Sequence, residues 1–198
     1  LTRKYPTHTY AQSAVELLLE LMEDRRLSAQ QLESIELDTF HGAKETLGGG
    51  DTNPYDVSTR VDAEQSLPYI LAVAALDETV TIEQFQPDRI QSSDVQEFMQ
   101  RVTVSEQPGL TDRHRRGELP ARVTLTTDDN RTPSRETADL EGHPDHPMDW
   151  NQIETKFRSL TEGVLPIAAQ GEVVHAVKNL EDVRVDELTR TLHKSPGE

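Results

Sequence analysis

The chain has 198 residues, 20 Lys plus Arg against 36 Asp plus Glu for a net charge of −16, and no cysteine. That length allows one large domain or two small ones with a real core, and the missing thiols exclude disulfides and thiolate metal sites. The acid excess repels phosphate backbones and anionic headgroups, so neither nucleic acid nor a membrane surface is an expected partner.

The longest apolar run, Tyr69 to Leu76, is far short of the ~20 residues of a membrane span, and the polar opening Leu1 to Tyr10 does not resemble a signal peptide. A soluble, cytoplasmic protein is expected. Only five lysines (Lys4, Lys44, Lys156, Lys178, Lys194) stand beside fifteen arginines. Acid excess with few lysines is the composition expected in a cytoplasm full of molar salt, where screening removes self-repulsion; an ordinary acidic mesophile protein is the bland alternative. The first residue is Leu1, not Met, as expected of a processed product, a fragment or an incompletely ordered N-terminus.

Ala11, Ala14, Val15, Leu18 and Met22 recur at helical spacing with Glu16, Glu20 and Glu23 opposite, which predicts an amphipathic helix. Ser28 and Gln31 form a capping box opening a short turn, after which Ile35, Leu37 and Thr39 alternate with Glu36 and Asp38 as a strand with one wet face. Gly48-Gly49-Gly50-Asp51 to Pro54 is a loop. Ser66 caps a helix with Pro68 in its first turn, apolar on every side and therefore the most buried. Ser92 or Ser93 caps another through Val95, Phe98 and Met99, and Val102 and Val104 then alternate as a strand.

Glu106 to Leu119 is polar and reads as a solvated loop carrying the one basic cluster, Arg113-His114-Arg115-Arg116; a phosphate patch is the sharper alternative, disfavoured by the acidic surroundings. Ala121 to Thr127 alternates, and Asp128-Asp129-Asn130 turns into a partner strand ending near Leu140. From Asp149, which forms a capping box with Gln152, the pattern is helical to the end. Trp150, Ile153, Phe157 and Leu160 form one stripe, Ala169, Val173, Ala176, Val177 and Leu180 a second, and Val185, Leu188 and Leu192 a third. The expected fold is α+β: helices on a small, mainly antiparallel sheet over residues 1–145, then a helical segment over 146–198 whose stripes need something to pack on.

His143 and His146 have an H-x-x-H spacing, but Pro144 and Pro147 prevent a normal helix and no third ligand is near, so no metal is expected. Nucleophile-elbow, Walker and dinucleotide motifs are absent. The most suggestive polar group is Arg3-Lys4-Tyr5-Pro6-Thr7-His8. A di- or tricarboxylate site needs fixed positive charge, and an acid or base poised near neutral pH is most often histidine; the bland alternative is a solvated tail.

That run, followed by Tyr10-Ala11-Gln12-Ser13-Ala14-Val15-Glu16, resembles the start of the C-terminal portion of the MmgE/PrpD family, which includes 2-methylcitrate dehydratase, cis-aconitate decarboxylase and iminodisuccinate epimerase. Three further segments agree in the family's order: Asp62-Ala63-Glu64-Gln65-Ser66-Leu67-Pro68-Tyr69, Ala121-Arg122-Val123-Thr124-Leu125, and Gly142-His143-Pro144-Asp145-His146-Pro147-Met148 with Lys156-Phe157 downstream.

The resemblance implies a lid-type domain over 1–145 and closing helices over 146–198 that return to an N-terminal helical domain absent from this chain. It implies a lyase eliminating water from a polycarboxylate such as 2-methylcitrate, with no metal or organic cofactor. The alternatives are a relative doing epimerisation or decarboxylation, or a non-catalytic lid, interaction module or remnant that needs a separate helical subunit. A homodimer is a further family expectation. Carried over by position, Arg3 stands where the family usually has lysine; it can clamp a carboxylate but cannot act as a base. His8 and Tyr10 compete for the catalytic position, and Lys4 and Lys44 are the other cations expected to bind substrate.

Overall fold

A computed structural model describes residues 1–138 and 140–192 of the chain. They fall into two compact units, Leu1–Pro147 and Met148–Glu198. The first holds α1 (Gln12–Arg25), β1 (Leu32–Thr39), α2 (His41–Leu47), α3 (Arg60–Glu64), α4 (Leu67–Asp77), α5 (Pro87–Ile90), α6 (Ser93–Phe98), β2 (Val102–Glu106), α7 (Pro108–His114), β3 (Ala121–Thr127) and β4 (Ser134–Thr137). The second holds α8 (Trp150–Thr161), α9 (Ile167–Lys178) and α10 (Val185–Leu192). The fold is α+β.

The sheet runs β2-β1-β3-β4, parallel between β1 and β2 and antiparallel at the other two pairings. A parallel neighbour needs a long crossover, here the helical stretch between β1 and β2. Ile35, Leu37, Val102, Val123 and Leu125 are buried on one face, and α1 and α4 cover that side. Leu32 is buried as well, although it would fall on the other face of an unbroken alternation with Ile35. The register shift between Leu32 and Ser34 absorbs the extra residue. The other face is charged: Asp38, Arg122 and Glu136 stand in register across three strands, and Arg113 extends the row by binding Glu136 and Glu118, each at 2.6 Å.

The expected helices have clear local causes. Buried Ala14, Val15, Leu18, Leu21 and Met22 fix α1, which ends where Arg26 turns left-handed at φ 51° and the Leu27 N–H returns to the Met22 carbonyl. Ser66 accepts the Tyr69 N–H at 3.1 Å and donates to the Pro54 carbonyl at 2.6 Å, tying the start of α4 to the loop before it. All nine residues from Leu67 to Ala75 are buried, and the Tyr69 hydroxyl reaches the Gln84 carbonyl.

Three details differ from the sequence reading. The short helix α3, capped by Thr59 with Asp62, and the turn-helix pair over 82–90 had no periodic signal. The stretch 106–119 is not merely a loop, because Pro108 opens α7 and Leu110 turns inward. β4 stops at Thr137, short of Leu140.

In the second unit, Asp149 accepts the Gln152 N–H to start α8, and Glu154 pairs with Arg158 at 2.7 Å and with Lys178 of α9 at 2.8 Å. Ala169, Val173 and Ala176 are buried, whereas Trp150, Ile167, Leu180 and Val185 are more than half exposed. An apolar hollow of about 130 Å³ lies between Trp150, Ile153, Phe157, Val173 and Val177. The Leu192 side chain, expected on the last stripe, falls outside the described part of the chain. Among the described residues no helix is long and apolar enough to cross a membrane.

Candidate functional site

The run before α1 is not a loose tail. Gln12, 1% exposed, donates through Nε2 to the Tyr5 carbonyl at 3.0 Å and to Thr7 Oγ1 at 2.7 Å, and its Oε1 accepts the Tyr5 N–H at 3.0 Å. The Thr2 N–H donates to the Gly142 carbonyl at 2.9 Å. One buried amide therefore fixes the backbone that carries Arg3, Lys4 and His8, since a buried Gln must satisfy its polar atoms.

Of the five residues singled out in the sequence, three come together. Arg3 Nη1 donates to the Thr7 carbonyl at 3.0 Å, and the Arg3 charge lies near enough to act on His8. The His8 and Tyr10 rings meet edge-on with centroids 4.8 Å apart. Partial burial, and then the positive charge of Arg3, hold the His8 pKa below its ordinary value. His8 Nδ1 accepts the Tyr10 backbone N–H at 3.1 Å. A backbone N–H can only donate, so the neutral ring carries its proton on Nε2. His8 is thereby held as a hydrogen-bond donor toward anything at Nε2, with no free lone pair to act as a base itself.

The other two point elsewhere. Lys4 Nζ bonds Glu141 at 2.6 Å and Glu16 at 3.3 Å. Burial alone would lower its pKa; the Glu141 hydrogen bond and the surrounding negative charge overturn that and raise it, so Lys4 is a fixed cation already paired with two carboxylates. The neighbouring Tyr5 hydroxyl is pushed up to about 12 by burial, against the pull of Lys4. Lys44 Nζ donates to the Gly48 carbonyl at 2.5 Å and closes the C-terminus of its own helix.

Two residues join the corner that sequence reasoning did not place there. Phe40, 1% exposed, meets Tyr10 edge-on at 4.9 Å, and His114 stacks on Phe40 at 3.8 Å with 16° between planes while lying 5.5 Å from Tyr10. The usable signal is helical spacing. Leu110 is buried in a small cluster with Phe40, Ala43, Leu119 and Leu140, and His114 sits four residues on, over the same face. His114 Nδ1 donates to the Glu118 carbonyl at 2.8 Å. The three arginines of the basic cluster are matched by Glu118, Glu136 and Asp112. His41, whose backbone N–H donates to Thr111 of α7 at 2.9 Å, pairs with Glu106 at 2.9 Å, and that carboxylate raises its pKa.

His143 and His146 close a tight turn, the His146 N–H donating to the His143 carbonyl at 2.9 Å. Among the described residues no group of three or more His, Cys, Asp or Glu side chains is placed to hold a metal.

The fold and this corner define an α+β domain with a mixed four-stranded sheet, whose leading segment is pinned to its first helix by a buried glutamine. The chain matches the MmgE/PrpD C-terminal domain over residues 5–182, and it belongs to that family. It is also similar to cis-aconitate decarboxylase from Homo sapiens, 26% identical over 144 residues. That stretch is 73% of this chain but spans only 29% of the human protein.

Proposed function

We propose that this chain is the lid and closing-helix part of a lyase that acts on a di- or tricarboxylate, with 2-methylcitrate dehydration as the leading reaction. The observation that supports this reading is the pinned corner, where a guanidinium and an imidazole N–H stand together in a chain otherwise rich in acid. Loss of water from such a substrate begins with removal of a proton beside a carboxylate, so negative charge grows on that carboxylate as the C–H bond breaks; the electron pair then forms the C=C bond as the hydroxyl leaves, taking a proton from a donor to depart as water. Fixed donors aimed at that charge are what the step needs. Arg3 clamps a carboxylate, His8 Nε2–H donates to one, and Tyr10 supplies a hydroxyl beside them. The base comes from the N-terminal helical domain, and closure over the substrate excludes water. The exposed stripe of α8 and the apolar hollow beside it are the surface that receives that domain. The assembled protein is a cytoplasmic homodimer suited to high salt.

A second reading, decarboxylation of cis-aconitate, is favoured by the similarity to the human decarboxylase. The test is alkene formation from 2-methylcitrate and carbon dioxide release from cis-aconitate, in molar KCl, by the chain alone and after mixing with an N-terminal helical domain of the family. The expected result is a silent chain and a mixture that dehydrates 2-methylcitrate. Carbon dioxide release alone would select the second reading, and a folded mixture inert toward both would mark the chain as a non-catalytic module.

A further inference from the structure

The ring cluster holds two imidazoles locked in opposite proton arrangements. His8 gives its Nδ1 lone pair to a backbone N–H, which leaves a proton on Nε2. The Glu118 carbonyl can only accept, so neutral His114 keeps its proton on Nδ1 and presents a bare lone pair at Nε2. Both rings lie against Tyr10, at 4.8 and 5.5 Å. Neither Nε2 has a protein partner among the described residues. Stacking on buried Phe40 fixes the plane of His114 as well as its proton.

We propose that His114 is a specificity residue of this site: its Nε2 accepts a hydrogen bond from the hydroxyl of a hydroxycarboxylate while His8 Nε2–H donates to the carboxylate. This inference rests on the polycarboxylate reading above and sharpens it. A donor–acceptor pair fits a ligand carrying both an O–H and a carboxylate, whereas an unsaturated acid without hydroxyl leaves the His114 lone pair unpaired. A site that loses such a bond discriminates against the analogue lacking the group. The corner therefore favours the hydrated substrate over the alkene.

The experiment is long-range ¹H–¹⁵N NMR of the histidine rings in the full chain combined with an N-terminal helical domain of the family, first free and then titrated with 2-methylcitrate or with cis-aconitate, alongside His114→Phe. Phenylalanine keeps an aromatic ring on Phe40 but loses the Nδ1–H bond to the Glu118 carbonyl together with the Nε2 acceptor, so the difference between the two acids, and not an overall loss, reads the Nε2 role. Expected are an Nε2–H ring at His8, an Nδ1–H ring at His114, an Nε2 shift at His114 with the hydroxy acid alone, and 2-methylcitrate binding weakened roughly 3- to 10-fold in His114→Phe with cis-aconitate binding unchanged. An Nε2–H ring at His114, or equal weakening for both acids, overturns the inference. If His8 responds to both acids and His114 to neither, the inference falls and the polycarboxylate reading stands. If neither ring responds to either acid, the reading falls with it.

Discussion

The two units dispose their apolar residues in opposite ways. In the first, α4 is apolar all round and every residue from Leu67 to Ala75 is buried, with α1 and the sheet supplying the other walls. In the second, α8 carries an equally legible stripe of Trp150, Ile153, Phe157 and Leu160, yet none of its residues is buried. Amphipathic spacing says that a helix has a face to cover and nothing about what covers it. The first unit buries its apolar faces within itself, whereas the second buries part of α9 and leaves the stripe of α8 uncovered.

The largest effect expected from that contrast is in the core. Leu18→Ala removes a fully buried side chain between α1 and α4 and should cost about 2–5 kcal/mol in denaturant unfolding. Removing the cap of α8 is next. Asp149→Ala should cost about 0.5–2 kcal/mol, seen as lost helicity by circular dichroism with the first unit unchanged. Smallest is Ile167→Ser, at a residue 82% exposed, which should change the stability of the chain by less than about 0.5 kcal/mol. A loss at Ile167 as large as that at Leu18 would dissolve the comparison between the units.

The histidines provide a pH form of the same contrast. Histidine ordinarily titrates at 6.5; His8 lies below that value because of burial and Arg3, and His41 above it because of Glu106. Below pH 6.5 the unfolded chain binds a proton at position 8 more readily than the folded one, so the His8 contribution is present above that pH and is lost as pH falls through its folded pKa. His41 behaves oppositely: its contribution is present below pH 6.5 and is lost as pH rises through its folded pKa. An NMR titration should show His8 with the lower midpoint and His41 with the higher, and the reverse order would refute the placement of Arg3 and Glu106.

Much of the fold was legible because it obeys simple periods. The 3.6-residue repeat of α1, the alternation in β1 and β3, and the Ser66-Pro68 and Asp149-Gln152 caps each have one reading. What escaped lacks a period or depends on distant partners. α7 is masked by polar residues, and only the pairing of Leu110 with His114 reveals its inward face. The corner was half legible: Arg3, His8 and Tyr10 are close in sequence and in space. The pairing of Lys4 with Glu141 joins opposite ends of the first unit, and the folding of Lys44 onto Gly48 is a local choice that no spacing forces.

We propose, as the centre of this picture, that Arg3 and His8 face the substrate while Lys44 does not. Its most direct test compares His8→Phe with Lys44→Gln for 2-methylcitrate dehydration in the chain combined with a helical domain of the family. Phenylalanine has no N–H, so loss of one donor aimed at developing charge should lower kcat about 10²–10³-fold in His8→Phe, with Lys44→Gln close to the parent. Full activity in His8→Phe, or a matching loss in Lys44→Gln, would contradict the account.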